Sequence, residues 1–166
     1  MMTWKSLSLL LALGTGSCRS VGPGNGRAIS FATCQRADAI IFYHIGAVDK
    51  PIFPLLIGQT GRHYPLAELA GPYPAAYLRP HLVDSIFYVA LAANIRRCLP
   101  ATPQGLEHLG EFGTFSICLG QQQVFLGSQQ EAANFFQALL PTLVPTAPAE
   151  RALKAEFETM SKRVGQ

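Results

Sequence analysis

Charge is scarce in this chain, with 13 Lys and Arg against 10 Asp and Glu in 166 residues and a net charge of +3. The basic residues stand singly except for Arg96-Arg97 and Lys162-Arg163. No basic stripe interleaved with aromatics exists, so the sequence gives no support to nucleic-acid binding. Nucleophile signatures are missing: there is neither a GxSxG elbow nor an SxxK pair. Gly22-Pro23-Gly24-Asn25-Gly26 is no phosphate loop, because Pro23 occupies its centre and no Lys-Ser/Thr follows at the required spacing. None of the four cysteines is spaced CxxC, which removes the usual zinc and thioredoxin-like redox motifs. No cofactor and no metal is expected from any motif present. The chain also lacks an apolar run near the roughly 20 residues that span a bilayer as a helix.

What is present begins with Met1–Cys18, MMTWKSLSLLLALGTGSC. Lys5 supplies a positive start, Leu7–Leu13 an apolar run, and Gly14–Ser17 a small-residue stretch. That order is the charged, apolar, small-residue sequence of an export signal. Thr15-Gly16-Ser17-Cys18 resembles the lipobox of bacterial lipoproteins, with Gly16 and Ser17 small as the peptidase requires and Thr15 where the family favours Leu. The resemblance implies cleavage before Cys18, acylation of Cys18, and a membrane partner reached through that lipid. Arg19 stands where inner-membrane lipoproteins of enterobacteria carry Asp, which on the same resemblance points to the outer membrane. Cleavage by ordinary signal peptidase near Gly16 or Ser17, leaving a secreted soluble protein, is one alternative, and an uncleaved hydrophobic N-terminus in the cytoplasm is the other.

The expected organisation is therefore a signal peptide over 1–17, a Gly-, Ser- and Pro-rich tether over 18–36, and a domain over 37–141. A linker and amphipathic C-terminal helix follow over 142–166. The chain after the leader suffices for one domain with a core of its own. The expected fold is α+β: a small antiparallel sheet of hairpins packed by two or three helices.

Ala37–Ala47 predicts a strand, apolar on both faces and hence central, with Ile41, Tyr43 and Ile45 on one side and Ile40, Phe42 and His44 on the other. Pro51–Leu66 predicts a hairpin, with Ile52–Ile57 going out, Gly58–Gly61 turning and Arg62–Tyr64 returning. Pro51 and Pro54 would hold that strand at an edge. Pro65–Leu69 predicts one helical turn, and Gly71–Pro74 a rigid connection.

Asp84–Cys98 predicts a helix capped by Asp84 or Ser85, with Ile86, Val89, Ala90 and Ala93 at helical spacing and a buried strand over Phe87–Ala93 as the alternative. Arg96 and Arg97 lie in its last turn, where cations complement the carbonyl end of the dipole. Gly113–Leu126 predicts a hairpin of period two. Ser128 with Glu131 forms a capping box ahead of a helix whose stripe is Ala132, Phe135, Phe136, Leu139 and Leu140. Ala149–Val164 predicts a polar helix with Glu150–Lys154 and Glu158–Lys162 pairs. Its thin apolar line suggests either loose docking or a partner-binding helix with Leu153, Phe157 and Met160 as anchors.

Four cysteines in an exported chain invite disulfides, and with Cys18 acylated the expected pair is Cys98 with Cys118. Three buried free thiols are the competing expectation. Among the histidines, His44 is expected in the core, His63 exposed, and His81 in a capping or surface role. His108 lies between Glu107 and Glu111 on an irregular loop, where a carboxylate would orient the imidazole for general-base chemistry or the three would share a metal, though their spacing fits no HExxH-type motif. The leading functional expectation is an exported, lipid-anchored cell-envelope protein with a binding or structural role and an envelope protein as partner. The rivals are an exported hydrolase using Glu107, His108 and Glu111, and an exported inhibitor or immunity-type protein acting through the loops at Gln59–Arg62 or Leu99–Gly110.

Overall fold

Strand β1 (Ile40–Ile45) is the central strand of a five-stranded sheet. A computed structural model describes residues 38–45, 54–70, 74–100, 114–120 and 122–164 of the chain. Within them, β1 pairs antiparallel with β2 (Leu55–Gln59) on one side and β4 (Thr114–Leu119) on the other. Strands β3 (Arg79–Val83) and β5 (Gln122–Leu126) complete the order β3-β2-β1-β4-β5. Among the described residues, only the β2–β3 pair is parallel. The fold is a single α+β domain.

The alternation along β1 sorts two cores, because successive side chains leave a strand on opposite faces. Ile40 and Phe42 face helices, together with Leu55 and Ile57 of β2 and Phe115, Ile117 and Leu119 of β4. Ile41 and Tyr43 face the other way and meet Leu56, Tyr64, Leu69, Leu78 and Cys118. A strand buried on both faces belongs in the middle of a sheet, as the apolar run predicts.

The sequence misplaces the partner of β2. Arg62–Tyr64 is no strand; the chain turns at Thr60-Gly61, with Gly61 at φ +84°, and Tyr64 folds back over β2. Its hydroxyl accepts the Gln59 N–H at 2.6 Å. Helix α1 (Leu66–Leu69) and a 3-10 turn (Ala75–Tyr77) then carry the chain across the second face to β3, which pairs parallel with β2. The prolines do not put β2 at an edge, because Pro54 precedes the strand and its carbonyl accepts the Arg79 N–H at 2.9 Å. Edge position falls to β3, where Pro80 has no N–H to offer an outer neighbour.

Helix α2 (Ser85–Cys98) starts where predicted, with the Asp84 carboxylate accepting the N–H groups of Ile86 at 2.8 Å and Phe87 at 2.9 Å. It buries Tyr88, Leu91, Ala92 and Ile95, not the line through Ile86 and Val89. Both lines have helical spacing, but the first carries more bulk and removes more apolar surface from water.

The β4–β5 hairpin turns at Gly120, φ +56°, and its alternation holds: Phe115, Ile117 and Leu119 face the helices while Cys118 faces away. Helix α3 (Gln129–Leu139) follows. Ser128 Oγ accepts the Glu131 N–H at 3.1 Å, and Glu131 reaches back to the Gly127 N–H at 2.9 Å, one residue before the cap itself.

Helix α4 (Pro148–Val164) closes the helical layer. Leu153 and Phe157 are fully buried, Met160 is 1 % exposed and Val164 is buried. Loose docking and partner-binding are both corrected: these anchors are already used inside the domain. Phe157 meets Phe42 edge-on with centroids 5.4 Å apart, and Phe42 also lies 6.1 Å from Phe135 and 6.4 Å from Phe136. One aromatic on the central strand thus collects two helices. Arg79 Nη1 to Glu156 Oε2 at 2.6 Å further ties α4 to the edge strand.

Candidate functional site

The residues singled out from sequence do not converge. Cys18, Glu107, His108 and Glu111 lie outside the described residues, as do the signal peptide and the 18–36 tether. The Cys98–Cys118 bridge is not formed, and Cys98 carries a free thiol. The two cysteines serve opposite faces of the sheet, Cys98 packing against the helical core and Cys118 buried in the other. Sequence separation hides that, because the face of each side chain is set by tertiary packing.

Two histidines stand as expected. His44 is buried with its ring 5.0 Å from Phe115, and His63 is exposed. His81 instead lies within edge strand β3, half-buried. Burial lowers its pKa, opposed by the field of Glu156 and aided by that of Arg79. Among the described residues, no group of three or more His, Cys, Asp and Glu side chains could hold a metal ion, and no helix is long and apolar enough to cross a membrane.

Asp84, Glu131 and Glu150 hold helix starts, and Asp38 and Glu156 form ion pairs. Glu150 is the most constrained: its Oε2 accepts the Thr146 N–H at 2.6 Å, the Ala147 N–H at 2.9 Å and the Thr146 hydroxyl at 3.1 Å. The Ala147 and Thr146 backbone N–H groups, with help from the Asp84 and Thr146 side chains, pull its pKa down to about 2 against a smaller opposing effect of burial. It therefore caps α4 and forms no pair with Lys154.

One end of the domain gathers residues from distant segments. There β1 starts, β2 ends and β4 turns into β5. Asp38, at φ +45°, leads into β1 and is ion-paired with Arg62 from the turn after β2. Helix α2 crosses this end: Thr60 N–H bonds the Val83 carbonyl ahead of the helix at 2.8 Å, and Tyr88 Oη donates to the Asp38 carbonyl at 3.0 Å. In the last turn, Arg96 Nη2 approaches the β4–β5 turn, 3.9 Å from where a Cβ on Gly120 would stand. Tyr88 lies within the fields of Asp38, Tyr64, Arg62 and Arg96, and burial is the main reason its pKa is raised, so it remains a neutral donor.

Among the described residues, the outward face of α2 at this end is apolar and exposed. Ile86 is 83 % exposed and Val89 63 %, with Ala90 and Ala93 exposed beside them and the exposed Arg96 and Arg97 closing the helix. Large apolar side chains so exposed on a helix mark contact surfaces when they are contiguous. The spacing of Ile86, Val89, Ala90 and Ala93 is visible in the sequence; only its outward direction is not. The signal that distinguishes the two lines is the greater bulk of Tyr88, Leu91 and Ile95.

Fold and site together define an α+β domain that carries a bare, base-tipped helix at the end where β1 starts. No protein-family model matches the chain, and neither a curated protein nor a solved structure matches it.

Proposed function

We propose that this chain is an exported lipoprotein of the cell envelope, held at a membrane by acylated Cys18, whose folded domain has a binding or structural role. The observation that carries the reading is the order of the leader: Lys5, the apolar Leu7–Leu13, the small Gly14–Ser17 and then cysteine. A binding or structural role is supported by how the described polar groups are used. Asp84, Ser128, Glu131 and Glu150 satisfy N–H groups at helix starts, and Asp38–Arg62 and Arg79–Glu156 tie elements together. Both faces of the central strand are filled by apolar side chains.

The test is metabolic labelling of the full-length protein in a bacterium with a fatty-acid precursor such as palmitate. Label should enter the wild-type chain and be lost in Cys18→Ser. Equal labelling of both, or of neither, contradicts the reading.

A further inference from the structure

The bare face of α2 lies at the end of the domain where the lipid-bearing segment would join it. Cys18 precedes Asp38, the residue leading into β1, by a span of about 70 Å at full extension. Asp38 is bonded through its carbonyl to Tyr88 of α2. The chain therefore enters the described domain at the same end of the sheet that α2 crosses. That end also carries charge suited to a phospholipid surface: Arg96 and Arg97 are exposed in the last turn of α2, while Arg62 on the neighbouring turn is balanced by its partner Asp38. At the opposite end of α2 the acids Asp84 and Glu150 lie together, each accepting backbone N–H groups at a helix start.

Resting on the lipoprotein reading, we propose that α2 is the membrane-facing element of the anchored domain, with Ile86 and Val89 entering the headgroup–acyl boundary and Arg96 and Arg97 meeting phosphate headgroups. An apolar face bordered by cationic side chains is the pattern of helices that lie in the plane of a bilayer surface. The long aliphatic stems of arginine let the guanidinium reach phosphate while the stem stays against apolar surface. Two large apolar residues make a weak contact on their own. The tether makes the contact intramolecular, so a weak one suffices to orient the domain.

The chain has one tryptophan, Trp4, which lies in the leader, so the processed protein should have none. Ile86→Trp, and separately Val89→Trp one turn on, then place a single indole on α2. Ala76→Trp, on the exposed 3-10 turn that leads to the opposite end of β3, is the control. Each full-length protein is expressed in a bacterium, extracted in detergent and returned to vesicles of phosphatidylethanolamine and phosphatidylglycerol, with and without acyl-chain bromination. Both α2 indoles should shift to the blue on vesicle formation and lose intensity to brominated lipid, while the Ala76→Trp indole does neither.

Unquenched emission from both α2 variants, matching the control, overturns the proposal while leaving the lipid anchor intact. Blue-shifted α2 emission already in detergent, without quenching in vesicles, overturns it in favour of a second copy or a protein on that face. Tryptophan emission from the unsubstituted protein would show a retained leader. That result contradicts the lipoprotein reading itself and is distinct from a failure of the α2 contact.

Discussion

The hydroxyl of Tyr88 donates to the carbonyl of Asp38 at 3.0 Å, joining the first turn of α2 to the start of the central strand. The two residues are fifty positions apart, and this bond fixes the helix across the end of the sheet. Removing a donor of this kind costs about 1 kcal/mol. Tyr88→Phe, which keeps the ring and its burial, should lower unfolding free energy by about that amount in urea titration. No change would mean that ring packing alone sets the position of α2.

Gly58 has no side chain because Tyr64 occupies the space above it. A Cβ there would stand 2.5 Å from Tyr64 Cζ and 2.8 Å from its hydroxyl. Gly58→Ala should destabilise by about 1–3 kcal/mol, the usual cost of overpacking. Tyr64→Leu in the same chain should cost less than the sum of the two single changes, since it removes the clash. Strict additivity in a double-mutant cycle would contradict the contact.

Phe157 stands at the centre of the helical core against Phe42 and Phe136. Phe157→Ala should cost about 3–5 kcal/mol, as for other buried aromatics. Thermal and chemical unfolding of the full chain read the effect directly. A stability within a few tenths of a kcal/mol of wild type would restore the loosely docked helix.

Acid should weaken the domain through Glu150. Its native pKa is held near 2, below the ordinary 4.5, by the Ala147 and Thr146 N–H groups. A carboxylate with a depressed native pKa contributes stability that is fully present above its unfolded value and lost as pH falls through the native one. The loss therefore runs between about pH 4.5 and pH 2. Glu150→Gln should flatten the stability profile in that window. An unchanged acid slope would show that Glu150 is not its source.

Much of this fold is written locally. The run at Ile40–Ile45 predicts a strand buried on both faces, Thr114–Leu126 shows its alternation, and Ser128 with Glu131 marks a helix start. Each of those signals involves neighbours within a few residues. Strand β3 was hidden because RPHLV is short, contains Pro80 and finds its parallel partner only after the chain has crossed a face of the sheet. The outward direction of Ile86 and Val89 was hidden because α2 is apolar on two sides and only the sheet decides which is buried. The Cys98–Cys118 expectation failed for a related reason: alternation sets Cys118 opposite Phe115 and Ile117, but only tertiary packing puts Cys98 against the helical core. The candidate site joins Asp38, Arg62, Tyr88 and Arg96 from separate segments, so its residues were legible singly and their meeting was not.

The most direct test of the account is the intact mass of the full-length protein after expression in a bacterium and extraction in detergent. The account predicts a mass equal to residues 18–166 plus a diacylglyceryl group, with or without a further acyl chain. A mass equal to cleaved chain without lipid, or to all 166 residues, would contradict it.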